Sequence, residues 1–157
     1  MFDGVRRGYA LTFLLLMEII EELGSDRGLE MLQSAVKKQA DIIARELRRK
    51  LPEGLSRLDL GAEIYRHFMS DAGAEVLVHE KGKSSVTFRV SRCPFYEALL
   101  DVGVDCGYLQ SGLCVNLIHP AFQAILTRFD PGLRLESKLV RQGAEEFCLE
   151  RIYVADD

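Results

Sequence analysis

The stretch Ser84-Ser85-Val86-Thr87-Phe88-Arg89-Val90-Ser91-Arg92-Cys93-Pro94-Phe95-Tyr96-Glu97-Ala98-Leu99-Leu100 decides the fold. Val86, Phe88 and Val90 alternate with Thr87 and Arg89, the period of a strand with one buried face. Upstream, Glu75-Val76-Leu77-Val78-His79-Glu80 is a second strand candidate, joined to the first by Lys81-Gly82-Lys83. Gly82 is available for positive φ, so residues 75–92 read as a hairpin. At Cys93-Pro94 the period changes. Proline suits a first helical position, where its missing N–H has no intrahelical partner anyway, so a short helix follows to about Leu100.

That junction puts Cys93 at or beside a helix N-cap, where free N–H groups and the positive end of the helix dipole favour a thiolate. A nucleophile, a metal ligand or a redox-active sulfur is one reading. The other is a small hydrophobe that closes a core.

Working back toward the N-terminus, the chain is helical. Ser56 starts a helix from Arg57 to Ala72 with Leu60, Ile64, Phe68 and Met69 inward, and Gly73 ends it. Ser25-Asp26 caps a long helix to about Leu51, with Leu29, Leu32, Val36, Ala40, Ile43 and Leu47 in one stripe and Lys37, Lys38, Arg45, Arg48, Arg49 and Lys50 mostly off it. Pro52-Glu53-Gly54 breaks that helix. The first helix runs roughly from Asp3 or Arg6 to Leu23 and is apolar over more than one face, which predicts packing on several sides. Arg6-Arg7 before Ala10-Leu11-Thr12-Phe13-Leu14-Leu15-Leu16-Met17 imitates a signal peptide, but no small-residue cleavage site follows, and the apolar run is shorter than the roughly 20 residues of a membrane span.

Beyond the junction, Gly103 and Gly107 flank a loop holding Cys106, and a helix is predicted from Tyr108 to about Phe129, interrupted near its middle by Pro120. Asp130-Pro131-Gly132 is a turn, and Leu133-Arg134-Leu135-Glu136-Ser137-Lys138-Leu139 alternates as a strand. After a turn at Gln142-Gly143-Ala144, a closing strand covers Glu146 to Val154. The order is α-α-α-β-β-α-α-β-β, an α+β fold with helices packed on a four-stranded antiparallel sheet. One domain spans residues 1–157, helical over 1–73 and mixed over 74–157.

Composition excludes several classes. A net charge of −4 leaves no electrostatic footprint for nucleic acid, and no membrane span is expected. Four cysteines in 157 residues do not make a disulfide scaffold, so reduced thiols and a cytoplasmic location are expected. No glycine-rich phosphate loop or G-x-S-x-G occurs, so no nucleotide cofactor is expected.

The residues able to carry chemistry are few. No C-x-x-C or H-E-x-x-H spacing occurs. Yet the fold could bring Cys93, Cys148 and one of Cys114 or His119 together, and three such ligands plus water would make an open zinc or iron site. Cys148 shares a strand face with Glu150 by alternation. Glu97, one turn after Cys93, is either a base facing the same pocket or a surface carboxylate favoured by the helix dipole. The alternative for all four cysteines is core filling. His67 and His79 read as solvent-facing.

Three pieces carry a family resemblance: Cys93-Pro94-Phe95-Tyr96-Glu97-Ala98-Leu99, Phe129-Asp130-Pro131-Gly132-Leu133-Arg134-Leu135-Glu136, and Gly143 followed by Phe147-Cys148-Leu149-Glu150. Together they resemble the L-2-amino-thiazoline-4-carboxylic acid hydrolase family, itself related to four-vinyl-reductase-type and transport-particle-like ligand-binding domains. The resemblance implies helices on an antiparallel sheet, an internal apolar pocket for a small molecule, and a homodimer. Two functions follow as expectations. One is ring-opening hydrolysis of a small cyclic amidine, with Cys93, Cys148 and Cys114 or His119 as nucleophile or metal ligands and Glu97 moving protons. The other is a non-catalytic module binding an apolar ligand, with metal- or redox-responsive cysteines. A purely structural dimerisation unit would need only the apolar first helix.

Overall fold

Helix caps and glycine turns set the element boundaries. The computed structural model describes residues 2–102 and 114–155. Helices α1 (Phe2–Leu23) and α2 (Ser25–Lys50) are joined through Gly24, whose φ of 82° is a conformation side chains disfavour. Helix α3 (Arg57–Asp71) is capped by Ser56, whose side chain accepts from the Asp59 N–H. The strands β1 (Glu75–Lys81) and β2 (Ser85–Arg92) form the expected hairpin. Helix α4 (Pro94–Asp101) follows with Cys93 as its N-cap. A π-helical turn (Cys114–Ile118) leads into α5 (His119–Phe129), and β3 (Leu133–Leu139) and β4 (Cys148–Val154) close the chain.

The α+β order is as expected. Pro120 lies in the first turn of α5, where its missing N–H is tolerated, and the helical run changes there from the π-helical turn to α-helix. The expected Cys106 loop and residues 108–113 of the expected helix lie outside the described residues.

The four strands form one antiparallel sheet in the order β1-β2-β4-β3. Register pairs Val86 with Ile152, Phe88 with Glu150 and Val90 with Cys148. One residue of slip would turn every one of these side chains to the other face. Val86, Phe88, Val90 and Ile152 are all buried, so their face of the sheet is the inner one, covered by α3 and α5. Tyr65 of α3 stacks on Phe88 (centroids 4.6 Å apart) and meets Phe122 of α5 edge-on at 5.3 Å. The Arg57 guanidinium binds Asp130 at 2.6 and 2.9 Å, and Asp130 also accepts from the Gly132 N–H at 2.8 Å, which ties the start of α3 to the β3 turn.

Gly61 lets α3 sit close to the sheet. A Cβ there would lie 2.9 Å from Ile152 Cγ2 and 2.9 Å from Leu133 Cδ2, both on fully buried side chains. Gly61→Ala is expected to lower stability by about 1–2 kcal/mol in urea unfolding, overpacking outweighing better helix propensity. A gain of about 1 kcal/mol, the propensity effect alone, would show that the contact yields.

Helix α2 buries Val36, Ala40 and Leu47 of its expected stripe and adds Ala44, while its lysines and arginines lie on the exposed side. The α1 expectation fails. Phe13 and Leu16 are buried, but Leu11, Leu14 and Leu15 are 59%, 46% and 54% exposed. Only α2 and α4 pack substantially on α1 among the described elements, so one apolar face has no neighbour.

Candidate functional site

The inner face of β4 presents Cys148, Glu150 and Ile152 in alternation, so a carboxylate lies among core side chains. Glu150 Oε2 accepts a hydrogen bond from the Tyr65 hydroxyl, and Oε1 lies 3.1 Å from His119 Nε2. The Glu150 and His119 side chains are largely buried. Burial, reinforced by the Glu150 charge, pushes the Tyr65 phenol well above its ordinary value, so it stays neutral and donates. His119 reaches this carboxylate from the end of the π-helical turn, a rare geometry that recurs at functional sites.

Cys93 is the N-cap of α4, as expected, but its side chain makes no capping hydrogen bond and it is 9% exposed. Burial pushes its thiol from 9.0 up to about 11, with Cys148 and Glu150 adding to the rise. The nearby Tyr96 backbone N–H and the charge of Arg141 pull the other way and lose. Desolvation therefore beats the helix terminus, which reverses the expected direction of Cys93 acidity. Cys114 is driven up to about 12, again chiefly by burial, with Cys93, Glu150 and Cys148 contributing. The fold thus gathers Cys93, Cys114 and Cys148 within electrostatic reach of one another and of the carboxylate that holds His119.

Glu97 belongs to a different cluster. It binds Arg92 at 2.8 and 3.2 Å and lies 3.9 Å from Arg6, and the Arg92 hydrogen bond holds its carboxyl below the ordinary range. Among the described residues, no group of three or more His, Cys, Asp or Glu side chains is arranged to hold a metal ion. His67 is half-buried and His79 exposed.

Arg141 is the member that sequence reasoning missed. It is 6% exposed, the one charged side chain buried to that degree among the described residues. Its Nη2 donates to the carbonyls of Val90 (2.6 Å) and Ser91 (3.2 Å), and its Nε donates to Cys148 Sγ at 3.4 Å. The guanidinium carbon also lies 5.3 Å from the Tyr96 ring centre. Arg141 clamps the end of β2 to the start of β4 beside the thiols. An arginine just before Gln142-Gly143 reads as solvated turn, so nothing in the sequence flags it.

A cavity of about 790 Å³ opens between α1–α2 on one side and α3–α5 on the other. Its walls are Tyr9, Phe13, Leu32, Val36, Ala40, Ile43, Leu47, Phe68, Phe95, Leu117, Ala121 and Ile125, with Lys38, Glu46, Lys50 and Asp71 among the few charged residues at its edge. The cavity and the polar cluster share elements. Phe95 is two residues from Cys93, and Leu117 lies between Cys114 and His119. Tyr9 packs on Phe95 at 4.4 Å and donates to the Ala72 carbonyl at 3.2 Å. Burial raises the Tyr9 phenol, and Cys93 adds to the rise, so the two sites lie within electrostatic reach.

No helix among the described residues is long and apolar enough to cross a membrane. No protein-family model matches this chain, and no curated protein matches it.

Proposed function

We propose that the protein is a small-molecule-binding module whose ligand is an apolar compound seated between the α1–α2 pair and α3–α5. The cavity carries this reading. Its volume of about 790 Å³ suits a drug-sized molecule, and its walls are aliphatic and aromatic. Several polar groups at its edge are engaged elsewhere: the Tyr9 hydroxyl donates to Ala72, Thr12 donates to Gly8, and Lys50 binds Asp71. A ligand would therefore gain chiefly from burying apolar surface.

Ring-opening hydrolysis has less support. A thiol raised to about 11 is protonated near neutral pH, so Cys93 offers little thiolate as nucleophile. Glu97 is engaged by Arg92 and Arg6. Zinc or iron on Cys93, Cys114, His119 and Cys148 has less support too, because these side chains, among the described residues, are not arranged as a group that could hold a metal ion.

Titration with N-phenyl-1-naphthylamine, whose fluorescence rises in apolar surroundings, tests the binding reading. Saturable binding of one probe per chain is expected, weakened at least tenfold by Ala121→Trp, which fills the cavity from α5. Circular dichroism and urea unfolding establish that the variant is folded. Absence of saturable binding to the native chain, or unchanged affinity in the folded variant, would overturn the reading.

A further inference from the structure

Gly4, Gly8, Leu11, Leu15, Glu18 and Glu22 follow one another at alternating steps of four and three, the spacing of the contact seam of a coiled coil. All six are exposed, and a Cβ built on Gly4 or Gly8 meets nothing within 4 Å. Tyr9, Phe13, Leu16 and Ile20 of the same helix face the core, so the seam looks away from the body of the molecule. We propose that this face of α1 binds a second copy of the chain, antiparallel, about a twofold axis beside Phe13.

The row is self-complementary in that one arrangement. A dyad at Phe13 sets Leu11 of one copy against Leu15 of the other, Gly8 against Glu18, and Gly4 against Glu22. The apolar layers meet at the centre. The glycines leave room for the glutamate side chains as the helices converge. Arg7, exposed and without an ion pair among the described residues, then falls beside Glu18 and Glu22 of the other copy. Arg6, by contrast, is held by Asp101 at 2.6 Å. Exposed Leu14 widens the apolar strip.

Two features argue against other occupants. An anionic membrane would attract the Arg7 end but repel Glu18, Glu21 and Glu22. A parallel pair would set Glu18 and Glu22 against the same residues of the other copy and leave Arg7 far from both, which is destabilising. Two glycines in an exposed helix cost about 1 kcal/mol each relative to alanine, a cost that close backbone approach explains.

Sedimentation equilibrium of the full chain tests the proposal. A reversible dimer is expected, weakened at least tenfold by Leu15→Glu and by Gly8→Leu, the second of which strengthens the isolated helix. Arg7→Glu and the double variant Glu18→Arg/Glu22→Arg should each dimerise poorly alone and recombine as a heterodimer when mixed, an effect that fades with salt. A chain monomeric into the high micromolar range would overturn the proposal. So would a dimer indifferent to these folded variants, or monomers that bind phosphatidylserine vesicles without dimerising.

Discussion

Glu150→Ala is expected to destabilise the protein by about 3 kcal/mol, because it strands two partly or fully buried polar groups at once. The Tyr65 hydroxyl loses its acceptor on a ring pinned between Phe88 and Phe122, and His119 loses the carboxylate 3.1 Å away. Tyr65 is fully buried and His119 largely so, and the helices that carry them, α3 and α5, also wall the cavity. Urea unfolding of a double-mutant cycle separates this from simple loss of packing. Tyr65→Phe alone should cost about 1 kcal/mol, and adding it to Glu150→Ala should cost nearly nothing more, since the orphaned hydroxyl is gone. Glu150→Gln, which keeps an acceptor for Tyr65, should fall well short of the alanine value. Strictly additive losses would mean that the carboxylate acts by filling space and that the hydrogen bonds contribute little.

This polar core was partly legible in the sequence. Alternation in residues 84–92 placed Val86, Phe88 and Val90 inward, and the same rule put Cys148 and Glu150 on one face. What joins those faces is register between strands far apart in sequence, and no local pattern encodes that Phe88 pairs with Glu150. Tyr65 falls outside the inward set Leu60, Ile64, Phe68 and Met69 expected of its helix, and Arg141 reads as a turn residue. Each gains meaning only from the strands it meets. Cys93 shows a different gap. The N-cap position was readable from Pro94, but the thiol's acidity depends on how completely water is excluded, and burial outweighed the helix terminus. The α1 face misled for a third reason: the sequence shows that the helix is apolar over more than one face, and what covers each of those faces lies outside the helix itself.

The buried thiols should make the protein fail in alkali. Their ordinary value is 9.0, reached on unfolding, whereas in the fold Cys93 stands at about 11 and Cys114 at about 12. Below pH 9 both states hold the protons and the stability is fully present. Above it, the unfolded chain releases protons that the folded chain retains, so stability falls with rising pH until the folded values are passed. Each unit of difference is worth about 1.4 kcal/mol, so the two thiols together remove on the order of 6 kcal/mol by pH 12. The Tyr65 phenol, also raised by burial, adds in the same direction. Urea midpoints between pH 7 and 11 should be flat to about pH 9 and then drop. The double variant Cys93→Ala/Cys114→Ala should start lower, from its lost packing, yet decline less steeply. An equal slope in that variant would assign the alkaline loss to tyrosines and lysines and leave the cysteines as silent core residues. Iodoacetamide gives an independent reading at pH 8. Both thiols should react far more slowly in the folded chain than in urea, and a fast native reaction at Cys93 would restore it as a nucleophile.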